Sequence, residues 1–250
     1  MNIDVTKTVL EMALCNPGAT RVFEKLGIDY CCGGNKSFEV ACREADVQVE
    51  QVLASLKSAA ASSERRRESS GGQGRAEDWQ RAPLTDLITH IKDTHHNYVK
   101  EETKRLGPLF EKVCSVHGSR HPELLELHGE FKSLTQELLM HMMKEELVLF
   151  PYIERMEEAV IAGEPVLPAP FGSVNKPVTA MVHEHDAAGT WLRRMRELSG
   201  GYTPPQGACT SFMTLYSALS EFERDLHRHI HLENNILFPR AIEMERRSSL

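Results

Sequence analysis

Apolar residues recur at spacings of three and four along most of the chain, and no segment alternates apolar and polar positions as a strand would. The pattern is sustained over about residues 84–116, 122–158, 176–199 and 208–246, with proline and glycine clusters between them. Four helices of that length joined by polar connections predict an antiparallel four-helix bundle. A shorter helical pattern covers residues 4–57, with turn signals at Asn16-Pro17-Gly18 and Cys32-Gly33-Gly34-Asn35. Residues 58–78 are rich in Ser, Gly and charge and offer almost nothing to bury, which predicts a flexible linker. The expected architecture is all-α: a small helical domain over residues 1–57, a linker over 58–78 and the bundle over 79–250.

Composition narrows the function classes. At 250 residues, 41% hydrophobic and 26% charged, the chain has the make-up of a globular protein. No apolar run approaches the roughly 18 residues of a membrane span, so no membrane partner is expected. The net charge of −7, with no basic face, argues against nucleic acid. The first ten residues lack the basic and long apolar regions of a secretory signal, and a cytoplasmic location is expected.

Two residue types are unevenly placed. All twelve histidines lie from His90 onward, whereas Cys15, Cys31, Cys32 and Cys42 fall in a segment without histidine. Cys31 and Cys32 are neighbours, and a cross-link between them would constrain almost nothing, so a structural disulfide framework is not expected.

The histidines gain meaning from the stripe they interrupt. In the second long segment the apolar stripe runs Leu124, Leu127, Phe131, Leu134, Leu138, then His141 and Glu145, then Val148 and Tyr152. In the fourth it runs Phe212, Leu215, Leu219, Phe222, Leu226, then His229 and Glu233, then Ile236. Both close on Leu-Phe-Pro, at Leu149-Phe150-Pro151 and Leu237-Phe238-Pro239, as in an internal repeat of about 88 residues. A single His-x-x-x-Glu is usually a solvent-facing pair. Two on equivalent core stripes place two carboxylates where burial costs several kcal/mol each, unless a partner or a cation compensates. Residues four apart share a helix face, so each His and Glu can aim at one ion.

The other two helices offer histidines at the same level. In the third, Val178, Met181, His185, Ala188, Leu192 and Met195 form the stripe, with His183 pointing about 200° away. In the first, Leu84, Ile88 and Ile91 lead to His95, while Val99, Leu106, Phe110 and Val113 lead back to His96, and periodicity leaves both open. The remaining histidines, His90, His117, His121, His128, His183, His227 and His231, are expected on the surface or beside the ligands, His90 foremost among the latter. Four imidazoles and two carboxylates suit iron or manganese better than a thiolate-rich zinc site would. Two glutamates able to bridge imply two ions, with about two coordination positions left open for small molecules once an oxo or hydroxo bridge is counted.

Three phrases carry a family resemblance: Asp29-Tyr30-Cys31-Cys32-Gly33-Gly34, His141-Met142-Met143-Lys144-Glu145-Glu146, and His229 followed by Leu232-Glu233-Asn234-Asn235 and Leu237-Phe238-Pro239. Together they resemble the Repair of Iron Centers family of the YtfE/ScdA type, which joins an ScdA-like double-Cys domain to a hemerythrin-like bundle. The resemblance covers nearly the whole chain apart from the linker. It implies a centre of two non-haem irons, oxo- or hydroxo-bridged, on His96, His141, Glu145, His185, His229 and Glu233, and so favours His96 over His95. It implies repair of iron–sulfur clusters damaged by nitrosative or oxidative stress, through iron supplied to the damaged proteins. Alternatives are reduction of nitric oxide to nitrous oxide at the di-iron site, and a hemerythrin-like sensor of oxygen or nitric oxide. Cys31 and Cys32 are the candidate redox or iron-transfer pair. No role follows for Cys15, Cys42, Cys114 or Cys209, and a homodimer exchanging its amino-terminal domains is compatible with the long linker.

Overall fold

The computed structural model describes residues 6–15, 17–31, 34–69 and 78–248, the side chains of Cys15, Pro17 and residues 60–69 excepted. All regular structure among them is helical. Two compact units make up the chain: Met1–Ala82 with Ile230–Ile236, and Pro83–His229 with Leu237–Leu250.

The first unit contains α1 (Val9–Cys15), α2 (Pro17–Leu26), α3 (Phe38–Glu44) and α4 (Val49–Ser69). Proline opens α2, where its missing N–H has no intrahelical partner to lose. Gly27, at φ 69°, closes the same helix, with Ile28 N donating to Phe23 O (2.9 Å) and Gly27 N to Glu24 O (3.3 Å). That pair of bonds needs a left-handed residue after the last turn, a conformation glycine adopts without steric cost. The Ser37 side chain caps α3 by accepting from Val40 N. Phe23, Tyr30, Phe38, Val52 and Leu56 centre the small core, and the Tyr30 hydroxyl donates to Glu24 at 2.8 Å. Helix α4 continues past residue 58 to Ser69, into the span read as linker. The run from Ser58 to Ser69 is rich in Ala, Arg and Glu, residues with high helix propensity. The rest of the expected linker, residues 70–77, lies outside the described residues.

The second unit is built on four long helices. Leu84–His90, Ile91–His96 and Asn97–His117 run on as α5; Glu123–Lys144, Glu145–Leu149 and Phe150–Ala162 as α6; Asn175–Leu198 is α7; Thr210–Leu232, Glu233–Leu237 and Phe238–Ser248 form α8, whose residues Ile230–Ile236 are counted with the first unit. Contacts between neighbours run in opposite directions. Phe110 packs at a tilt against Phe131 while His96 reaches Glu146, Arg194 pairs with Glu126 while His141 pairs with Glu184, and Tyr98 lies near Phe222 while His95 meets Asp225. This is the antiparallel four-helix arrangement expected from the stripe pattern. Buried Glu157 of α6 anchors the start of α5, accepting from Leu84 N (2.6 Å), Thr85 N (2.8 Å) and Thr85 Oγ1 (2.8 Å). A carboxylate there satisfies donors that a helix start leaves open and suits its positive end.

Three of the long helices are not regular α-helix throughout. Ile91–His96, Glu145–Leu149 and Glu233–Leu237 are π-helical turns. A turn closed by i→i+5 bonds takes one more residue than an α-turn, so a spacing of three and four no longer tracks the seam through it. Val148, expected on the core stripe, is accordingly 48% exposed, while Leu149 is 1% exposed and Phe150 is buried beside it. In α5 the same widening turns both His95 and His96 inward, which is why periodicity could not choose between them.

This register generates a prediction opposite to that of the sequence stripe. In metal-free protein, Leu149→Ala is expected to cost about 2–4 kcal/mol in urea unfolding, and Val148→Ala to stay within about 0.5 kcal/mol. Equal losses would show that the turn is not held in solution.

Candidate metal centre

Each long helix contributes one histidine to the middle of the bundle, and α6 and α8 each add a glutamate one turn later. The structure brings together all six ligands named from the sequence: His96, His141, Glu145, His185, His229 and Glu233 are buried, both glutamates completely. They form two sets, His96–Glu145–His229–Glu233 and His141–Glu145–His185–Glu233, with the ligand atoms of each within 4.8 Å of one another. The sets share both glutamates and differ in their histidines. Three of the six residues, His96, Glu145 and Glu233, sit at an end of a π-helical turn.

The spacing of the donor atoms fits a cation. His96 Nε2 lies 3.1 Å from His229 Nε2, and His185 Nε2 lies 2.9 Å from His141 Nε2. Two nitrogens each about 2.0–2.1 Å from one ion and at right angles about it are about 3 Å apart. Glu145 stands between the histidine pairs, with one oxygen 3.5 Å from His96 Nε2 and the other 3.3 Å from His141 Nε2. Neither of its oxygens has a hydrogen-bond donor in good geometry. Within the protein alone this is a costly arrangement, since a fully buried carboxylate without donors loses its hydration uncompensated. A cation bound by those oxygens and the Nε2 atoms removes the cost.

The opposite edge of two ligand rings is fixed by residues that the sequence reading did not identify. His96 Nδ1 donates to Glu146 Oε1 at 2.8 Å, and Lys100 Nζ donates to the same oxygen at 2.6 Å. His141 Nδ1 donates to Glu184 Oε2 at 2.7 Å, while Lys144 donates to the other oxygen of that carboxylate. Burial alone would raise the Glu146 and Glu184 carboxyls, but the lysine and histidine donors outweigh it and hold both below the ordinary carboxylate range. With the proton on Nδ1, each ring presents the Nε2 lone pair to the shared centre. His95, the rejected neighbour of His96, is buried with Nδ1 2.9 Å from Asp225 and its ring parallel to that of His229. Glu146 and Glu184 each adjoin a ligand in the chain yet serve a histidine of another helix, so only the tertiary fold reveals them.

The other residues divide as follows. His90 reaches the ring of His95 edge-on and accepts at Nδ1 from Thr94. His183 is exposed, as its place off the stripe implied. His128 is neither a surface group nor beside a ligand: it is buried, stacked on Phe110 at 4.7 Å, and desolvation lowers its pKa. His231 is also buried and is held by Asn235, with its pKa lowered to about 4 chiefly by burial. Cys31 is buried, and its backbone N donates to Asp29 Oδ1 at 3.1 Å. Cys32 lies outside the described residues.

Two predictions follow from burial in this unit. In metal-free protein, Glu145→Leu is expected to raise stability by about 1–4 kcal/mol, because an apolar group replaces a carboxylate without donors; ferrous iron should then no longer raise the melting temperature, as it does for wild type. A metal-free loss of stability would mean Glu145 is satisfied without a cation. For His128, the folded pKa lies below the unfolded one, so the unfolded chain binds the extra proton and stability falls as pH drops below about 6.5. His128→Leu should make thermal unfolding less sensitive to pH between 7.5 and 5.5, and an unchanged slope would exclude His128 as a source of acid lability.

Comparison with known proteins agrees with this geometry. The hemerythrin HHE cation binding domain matches residues 87–241, a span that contains all six ligands, and the ScdA_N domain, of unknown function, matches residues 5–60. The iron-sulfur cluster repair protein YtfE of Pectobacterium carotovorum subsp. carotovorum (strain PC1) is 37% identical over 235 residues, covering 94% of this chain and 96% of its own. Its namesakes in Pectobacterium atrosepticum and in Yersinia pseudotuberculosis serotype O:3 (strain YPIII) are each 36% identical, over 94% of this chain and 96% of theirs. Bundle and both matched segments agree: the chain belongs to the family of the YtfE iron-sulfur cluster repair proteins, with a hemerythrin HHE cation-binding bundle as its larger part.

Proposed function

We propose that the protein carries two non-haem irons between α5, α6, α7 and α8 and supplies iron to iron–sulfur proteins whose clusters nitric oxide or peroxide has damaged. The observation that carries this reading is the pair of four-residue sets sharing two fully buried glutamates. Nitrogen and carboxylate donors without a thiolate favour iron or manganese over the soft-ligand metals. The names of the similar proteins point to cluster repair, and so to iron.

In this reading Glu145 and Glu233 bridge two ions, and each ion has two histidines of its own. Four protein donors per ion leave about two of six coordination positions to exchangeable ligands. Such a site holds iron firmly enough to carry and loosely enough to give up. The chain's own contribution is orientation: Glu146 with Lys100, and Glu184 with Lys144, keep His96 and His141 in one tautomer and aimed at the shared centre. Cys31 and Cys32 are the thiols to which we assign iron transfer or electron supply. Among the described residues no helix is long and apolar enough to cross a membrane.

The test is metal content followed by transfer. Untagged protein from iron-replete cells is expected to carry about two irons per chain, and the Glu145→Ala/Glu233→Ala double variant none. The loaded wild type should restore activity to an iron–sulfur enzyme inactivated by nitric oxide, with loss of iron from the donor; Cys31→Ser/Cys32→Ser should slow that restoration at unchanged iron content. A single tightly held zinc would refute the iron centre. Stoichiometric iron that reaches no damaged client would refute the repair role alone.

A further inference from the structure

Cys209 lies in the connection ahead of α8, and its carbonyl accepts the first bond of that helix, from Met213 N at 3.0 Å. The thiol therefore stands at the amino-terminal cap of a long helix, and it is exposed. Its Sγ is 3.1 Å from Nε2 of His117, the last residue of α5, 92 positions away in sequence. The imidazole is not a loose surface ring: it packs edge-on against Phe212, at 5.5 Å between centroids, and Phe212 is itself fully buried. The ring of His121 lies on the same phenylalanine and is engaged with Glu123 at 3.0 Å, which leaves His117 as the base in contact with the sulfur. A nucleophile, a base within hydrogen-bond reach and a third group that orients the base form the arrangement of an activated nucleophile. The positive end of the helix adds a favourable field for the anion that develops on sulfur.

From this geometry we infer that Cys209 and His117 form a reactive thiol site for hydroperoxides, separate from the metal centre. The sulfur lone pair attacks the distal peroxide oxygen, forming the S–O bond as the O–O bond breaks. The thiol proton passes to His117 Nε2 and from there to the departing oxygen. With hydrogen peroxide the balance is thiol plus peroxide to sulfenic acid plus water, a two-electron oxidation of sulfur and reduction of the peroxide. The same molecule supplies the contrast. Cys114, one turn before His117 on α5, directs its thiol at the carbonyl of Leu124 (3.5 Å), and burial pushes its pKa up. Cys42 is buried in the core of the first unit and is likewise pushed up by burial. Neither has a base at the sulfur among the contacts described.

The experiment is site-resolved labelling of the full chain. Protein is treated with micromolar hydrogen peroxide in the presence of a 1,3-dione trap for sulfenic acid, and separately with iodoacetamide, which reports thiol nucleophilicity without redox chemistry at iron. Peptide mass spectrometry then gives the rate at each cysteine. Cys209 is expected to react at least about tenfold faster than Cys114 and Cys42 with both reagents. His117→Phe, which keeps an aromatic ring against Phe212, should lower the Cys209 rate about tenfold or more and leave Cys114 unchanged. An unaltered Cys209 rate in that variant overturns the inference. If the variant does not fold, the wild-type rate is compared with that of a peptide of residues 205–214: Cys209 reacting no faster than the peptide overturns it equally, and a faster rate supports it.

Discussion

The bundle is organised around one electrostatic fact, that Glu145 and Glu233 are fully buried within its core. Each carboxylate removed from water costs several kcal/mol unless charge returns to it. Four histidines converge on the same space, with Nε2 atoms paired at 2.9 and 3.1 Å. Phe150 and Phe238 stack near His96 and His185 and supply apolar surface beside the site.

Around that centre the fold adds charge in balanced pairs. Glu146 is matched by Lys100 and Glu184 by Lys144, so the two outer carboxylates fix ring orientation without adding net negative charge to the core. They occupy the partly exposed flank of the helices, where a lysine can stay hydrated while its ammonium group meets the carboxylate. Asp225 does the comparable service for His95, a ring that lies parallel to His229 and steadies the centre from its side.

Much of this was legible in the sequence. A His-x-x-x-Glu pair interrupting an apolar stripe twice, 88 residues apart, is a signal that burial amplifies: the stripe says the positions are inside, where a carboxylate needs a partner or a cation. What pattern could not show was anything that depends on a change of helical pitch or on another helix. The π-helical turns at Ile91–His96 and Glu145–Leu149 broke the register, which left His95 and His96 tied and put Val148 on the wrong side. Glu146 and Glu184 look like ordinary charged positions until the neighbouring helix is in place. The helical run to Ser69 was hidden because Ser and Arg in a row read as solvated chain, although their propensity with Ala and Glu favours helix.

The placement of the π-helical turns also marks an asymmetry among the helices. In α6 and α8 the turn begins at the glutamate, directly after the His and Glu that share one face, and each is followed by a buried Leu-Phe pair. In both helices that pair lies in the core just past the His and Glu of the candidate site. The helix α7 brings one histidine to that site, His185, and remains regular throughout. In α5 the π-helical turn ends at His96, and two adjacent histidines lie inside, one at the shared centre and one against Asp225.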